Sequence, residues 1–168
     1  MVIAPIIERR SVRFFKPDEV SDEQVSEIIK AGQYAPTANN NRSIEYLVIK
    51  SQQLRDSIYA AIGQRFLREA PIVLCLVIDP AKSVCPVQDL SCASENIFIQ
   101  ATAMGLGTIW KNISEEQEPR IKKLLNIPDN LRIINLIPIG YPSEKPLGHT
   151  GFDKDKIRID TYKEIPRV

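Results

Sequence analysis

Three arginines within five residues, Arg9, Arg10 and Arg13, stand with Ser11 among them and Val12 and Phe14 alongside, the makings of an anion receptor. A guanidinium presents a planar fork of donors that matches phosphate or carboxylate oxygens, and a serine hydroxyl adds one more. An extended or turning segment sends Arg9, Ser11 and Arg13 to one side and Arg10 to the other. The group suits a phosphomonoester. A basic arm that is solvated or salt-bridged accounts for the same charges.

A second stretch rich in hydrogen-bonding groups is Tyr34-Ala35-Pro36-Thr37-Ala38-Asn39-Asn40-Asn41, where a proline and three asparagines replace the helical periodicity around them. Such a composition makes a loop, either an ordinary polar turn or a second part of a site. A third is Gly105-Leu106-Gly107-Thr108-Ile109-Trp110, where two glycines stop a helix and let backbone come near a flat ligand, or simply cap the helix.

The elements between these stretches must position them. Val2, Ile3, Ile6 and Ile7 have the spacing of one side of a short helix over residues 2–8, with Pro5 in its first turn. Ser21 and Gln24 form a capping box and Val20 can staple onto Val25, so a helix over about 22–33 buries Val25, Ile28, Ile29 and Gly32. Tyr46–Ile49 reads as a strand. Ser51 caps a helix whose apolar face is Leu54, Ile58 and Ile62, with Gly63 at its end.

The unbroken apolar run Ile72–Ile78 marks a central strand covered on both faces, with Cys75 in the core. Leu90, Ala93, Ile97, Ala101 and Met104 recur at helical spacing and predict a long helix over 87–104. A second capping box, Ser114 with Gln117, opens a helix to Leu125 that must accommodate Pro119. A turn at 126–130 leads to a buried strand over 133–140, and a tail from 141 to 168 packs over the sheet or over a neighbouring chain. Strands and helices mix around one sheet in one domain of 168 residues.

The charge balance, 22 Lys and Arg against 21 Asp and Glu, argues against a protein that coats nucleic acid. No apolar run is long enough to span a membrane and Met1–Pro5 is too short for a signal peptide, so a cytoplasmic location is expected. Three cysteines without a Cys-x-x-Cys pair, and one histidine, His149, favour neither a disulfide framework nor a metal site.

Four motifs in register resemble the FMN-dependent nitroreductase family in its short, single-domain form. They are Arg9–Phe14, Ala35–Asn40, Gly105–Trp110 and Ile139-Gly140-Tyr141-Pro142, with Asp89, Ala93 and Asn96 fitting the family's long helix. The resemblance covers about residues 5 to 160. It implies an α+β fold with a central, mixed but mainly antiparallel sheet flanked by helices, in an intertwined homodimer with FMN at the subunit interface.

The same resemblance places residues. Arg9, Arg10, Ser11 and Arg13 would hold the phosphate and the polar edge of the flavin. Pro36, Thr37, Ala38 and Asn40 would come from the partner chain, against the ring and ribityl chain. Backbone around Trp110, Lys111 and Asn112 would meet the ring near N5. The implied activity is a ping-pong hydride transfer from NAD(P)H to a nitroaromatic, quinone or similar electron-poor acceptor, with no side chain acting as the catalyst. A flavin-binding protein for storage or sensing, and a small interaction domain with an anion site, are the readings from other classes.

Two departures from the family pattern bear on this. Arg42, Ser43 and Ile44 stand where glutamine, proline and an aromatic are usual, which affects substrate preference. His149-Thr150-Gly151 precedes Phe152 where relatives place one or two basic residues. Losing one charge-assisted contact costs roughly 1.5–3 kcal/mol, or about one to two orders of magnitude in FMN affinity, with His149 able to supply part of it when protonated.

Overall fold

A computed structural model describes residues 1–144, 146–148 and 151–162. Its centre is β2 (Ile72–Ile78), every residue of which is buried. β1 (Ile44–Ile49) and β5 (Asn135–Gly140) pair with it antiparallel on either side, with Leu47 opposite Cys75 and Leu136 opposite Cys75 across the two ladders. Strand side chains alternate between faces, so an unbroken apolar run is the pattern of a strand with a core on both sides.

Both cores are present. Ile72, Leu74, Leu76 and Ile78 point to one side, onto α2 (Asp22–Gln33) and α5 (Pro86–Ala103) through Val25, Ile28, Leu90, Ala93 and Ile97. Val73, Cys75 and Val77 point to the other, where Ile58 of α3 (Gln52–Ile62), Leu67 of α4 (Phe66–Glu69) and Ile121 of α6 (Glu118–Leu125) meet them. Burial pushes the Cys75 thiol up to about 12, with the Glu118 carboxylate adding to the shift, so it stays a neutral core group.

The helix starts follow their sequence signals. Ser21 and Gln24 exchange both hydrogen bonds of the capping box, and Val20 and Val25 are both buried beside it. Ser51 Oγ accepts from Leu54 N, and Gly63 closes α3 with φ 82°. The Ser114–Gln117 box forms as well, but it closes a turn ahead of the helix, which begins at Glu118 and takes Pro119 in its first turn without a lost hydrogen bond.

Three expectations are corrected. Leu54 lies on the surface and Ile29 is only half-buried, while Arg55 is buried in Leu54's stead. The Arg55 guanidinium donates to the Lys50 carbonyl and to Gln52 Oε1, which lets a charged side chain turn inward at the start of α3. The last strand begins at Asn135, since Ile133 and Ile134 belong to the turn into it, where Arg132 bridges to Ile78 and Ile113 N donates to Ile134 O.

Beyond β5 lie β3 (Gly107–Thr108) and β4 (Lys111–Asn112), which continue one register: Thr108 faces Ile139 and Lys111 faces Leu136. The gap between them, Ile109–Trp110, falls opposite Pro138, which has no N–H to donate to the ladder. The amino-terminal segment then adds to the outer edge of β3, with Ser11 bridging Thr108 in parallel and Val12 N donating to Thr108 O at 2.9 Å. Residues 141–143 bind its other side, through Lys16 N to Tyr141 O and Ser143 N to Phe14 O.

α1 (Ala4–Glu8) buries none of its residues, and Val2, Ile3, Ile6 and Ile7 are all exposed. The described part of the tail past Gly148 also carries exposed Phe152, Ile157, Ile159 and Tyr162.

Candidate functional site

The arginine segment is held by backbone on both sides and by a carboxylate. Glu144 Oε1 accepts from Arg13 N at 2.6 Å and from Phe14 N at 3.3 Å, so it fixes the chain from which the arginines project. Val12 is buried against β3, and this inward residue leaves Ser11 and Arg13 facing out. Nothing in the sequence singles out Glu144, one acid in a charged tail.

Arg9, Arg10, Ser11 and Arg13 line one cavity of about 370 Å³ with Glu144, Pro146 and Leu147. The expected separation of Arg10 from the other three is not observed. The chain turns as it leaves α1 at Arg9, and Arg10 lies between this cavity and a neighbouring one of about 480 Å³. Arg9 Nε is 3.4 Å from Glu95 Oε1, Arg10 Nη2 donates to Gly148 O at 2.9 Å, and Arg13 Nη1 is 3.5 Å from Ser11 O. Each guanidinium has five donor hydrogens, most of them not taken up by hydrogen bonds among the described residues.

The asparagine loop is built differently. Asn39 and Asn40 have φ of 55° and 52°, a left-handed conformation that asparagine tolerates better than most residues, and Arg42 shares it at 50°. The anchor is Asp89 on the first turn of α5, which is 4% exposed. Its carboxylate accepts from Ala38 N at 2.8 Å, Asn41 Nδ2 at 2.9 Å and Ser83 Oγ at 2.7 Å. Burial, the largest influence, pushes its pKa up, but the hydrogen bonds from Ser83, Asn41 and Ala38 together outweigh it and leave the carboxyl below its ordinary value. Spacing gives no hint that Asp89 meets a loop some fifty positions earlier.

Pro36, Thr37 and Asn40 line a cavity of about 420 Å³ that shares no residue with the arginine cavity. Ala38 sits on the same turn, with its N–H committed to Asp89. Trp110, Lys111 and Asn112 border neither cavity. The Trp110 ring stands edge-on to Phe98 at 6.2 Å and is partly buried against the core. Lys111 Nζ donates to the Asn112 carbonyl and lies 3.5 Å from Gln117 Oε1; desolvation lowers its pKa. His149 lies outside the described residues.

A family model, the Nitroreductase family, matches residues 6–68 and 58–141, a span that includes the clamp, the asparagine loop, α5 and the sheet. The chain belongs to the nitroreductase family. Among curated relatives, a protein of Methanothermobacter thermautotrophicus named "Putative NADH dehydrogenase/NAD(P)H nitroreductase" is 30% identical, with 96% of this chain and 87% of that protein covered. Among solved structures, an FMN-dependent nitroreductase from Clostridium difficile is 25% identical at a TM-score of 0.89, covering 96% of this chain and all of that one. A Bacteroides thetaiotaomicron structure with the same name as the archaeal relative is 30% identical at a TM-score of 0.90, covering 94% and 96%.

The family and these neighbours bear out the α+β nitroreductase fold. The glycines of the third motif have a local task within it. A Cβ on Gly107 would lie 2.6 Å from Val12 Cγ2, so this glycine is what lets the arginine segment dock against β3. The close approach that the sequence assigns to a flat ligand is, at Gly107, made to the chain's own clamp.

Proposed function

We propose that the protein is an FMN-dependent NAD(P)H oxidoreductase whose flavin site is completed by a second copy of the chain. The observation that carries this reading is the gathering of Arg9, Arg10, Ser11 and Arg13 around one cavity, in a chain of the nitroreductase family. Three cations and a hydroxyl that makes no hydrogen bond among the described residues fit a phosphate dianion. The one carboxylate lining that cavity, Glu144, is occupied by backbone donors.

Arg9, Arg10, Ser11 and Arg13 would hold the phosphate and the flavin's polar edge. Pro36, Thr37, Ala38 and Asn40 of a second copy would border the ring and ribityl chain, which accords with Pro36, Thr37 and Asn40 lining a separate cavity within one chain. Main-chain N–H groups around Trp110, Lys111 and Asn112, next to the gap in the ladder opposite Pro138, would donate toward N5. The exposed apolar side of α1 gives the second copy a surface to cover.

The chemistry that FMN supplies when bound is a two-electron relay from NAD(P)H to an electron-poor acceptor, in a ping-pong order. For a nitroaromatic, NAD(P)H and one proton are consumed, and NAD(P)⁺, the nitroso compound and water are formed. The chain's own part is to bind, to orient and to keep one side of the site open to donor and acceptor in turn.

An absorption spectrum of the protein supplied with FMN, taken before and after anaerobic NADH and then NADPH, tests this. Prompt bleaching of bound flavin is the expected result. Bound flavin that neither donor bleaches would move the reading to storage or sensing, and a protein that takes up no flavin would overturn it.

A further inference from the structure

The cavity of about 420 Å³ beside the asparagine loop has ten lining residues, from the end of α2, the loop and the start of β1, and Arg42 is the one charged residue among them. Pro36, Ile44 and the rings of Tyr34 and Tyr46 provide apolar and aromatic surface; Gln33, Thr37 and Asn40 provide polar edges. Tyr34 is 85% exposed at the end of α2, an aromatic ring left open to a ligand. The volume is that of a site for a small molecule of one or two rings.

Arg42 is held there at a cost. Its φ of 50° lies in the left-handed region, which is unfavourable for an L-residue with a side chain. Arg42 N donates to Thr37 Oγ1 at 3.3 Å and Nε donates to Asn40 Oδ1 at 3.1 Å, so the loop itself grips both the backbone and the neck of the side chain. No carboxylate among the described residues pairs with its guanidinium, and both terminal nitrogens keep their donors. A braced fork with no anion of its own, beside an open aromatic ring, is complementary to a carboxylate carried on an aromatic ring.

We propose that Arg42 is a specificity-determining residue and that this cavity receives acceptors in which an electron-poor aromatic ring bears a carboxylate. The inference rests on the preceding reading only in taking the cavity to adjoin the flavin, because Pro36, Thr37 and Asn40 belong to both. The ring lies among Tyr34, Pro36 and Ile44, and the carboxylate meets the two Nη groups of Arg42.

Calorimetric titration of the full-length protein with 4-nitrobenzoate and with 4-nitrobenzyl alcohol, with and without FMN, provides a test that needs no turnover. The variants are Arg42→Gly, which keeps the left-handed backbone while removing the fork, and Arg42→Lys, which keeps the charge without it. Arg42→Gly is expected to weaken nitrobenzoate binding about tenfold or more and the alcohol by less than about twofold, with Arg42→Lys between.

Equal losses for both compounds, or no loss for either, overturn the proposal. So does a loss of bound FMN in Arg42→Gly, which would give the guanidinium to the cofactor. A rise in KM for NADPH but not NADH, with nitrobenzoate unaffected, would assign it to the donor's phosphate and overturn it equally. Arg42-dependent nitrobenzoate binding by a protein that never takes up FMN would sink the flavin reading and overturn the acceptor role with it, leaving Arg42 only as a carboxylate site. A flavin-loaded protein indifferent to the carboxylate would overturn this proposal and leave the flavin reading standing.

Discussion

At the level of single residues, the clamp and the loop anchor make separable predictions. Among the described residues Arg9 has one ion-pair contact, 3.4 Å to an exposed Glu95, so its removal costs the fold little. Arg9→Ala should weaken FMN by roughly 1.5–3 kcal/mol, about ten- to a hundredfold, and leave riboflavin nearly untouched, as fluorescence titration with the two flavins would reveal. Equal weakening of both would remove Arg9 from the phosphate. Asp89 gives a pH dependence. Its folded pKa lies below the ordinary carboxylate value, so the stability it contributes is fully present above about pH 4 and is lost as pH falls through the lower folded value. The protection factor of the Ala38 N–H against hydrogen exchange, taken relative to the intrinsic rate at each pH, should therefore fall on acidification below about pH 4, and Asp89→Asn should remove most of that dependence while costing roughly 1–3 kcal/mol of stability.

At the level of elements, the clamp depends on an edge strand that has no room to spare. Val12 sits against Gly107, where any Cβ would be within 2.6–2.9 Å of three Val12 side-chain atoms. Gly107→Ala must push the amino-terminal segment off β3, at an overpacking cost of about 1–3 kcal/mol. The expected result is a lower melting temperature together with weaker FMN binding, although residue 107 is not among those that line the arginine cavity. Adding Val12→Ala should recover part of both losses; a double variant no better than Gly107→Ala alone would mean that the contact is not what matters.

At the level of the whole molecule, the arginine cavity and the asparagine-loop cavity of one chain have no lining residue in common. If each flavin lies between the clamp of one chain and the loop of another, two defective variants should complement each other. Arg9→Ala and Asn40→Gly, the latter keeping the left-handed backbone, would be unfolded and refolded together. Random pairing makes half the dimers mixed, each with one intact site, so about a quarter of the sites should regain tight FMN binding. If clamp and loop of the same chain build each site, the mixture recovers nothing.

Much of this was legible in the chain because it is set by local chemistry. The apolar run Ile72–Ile78 could be soluble only as a strand covered on both faces, and Ser21 with Gln24 capped the helix that their spacing implied, because both signals act over a few residues. The arginine cluster and the asparagine loop were visible as residue types. What remained hidden is what distant parts of the chain do to each other. Asp89 grips the loop at Ala38 and Asn41, Glu144 fixes the backbone of Arg13 and Phe14, and Gly107 makes way for Val12. Arg55 could turn inward only because the Lys50 carbonyl and Gln52 were there to receive it. Composition and periodicity determined which segments form elements and which carry donors. Tertiary structure alone decided which donors share a cavity, since hydrogen bonds and close contacts between residues far apart in the chain depend on docking geometry that no local pattern encodes.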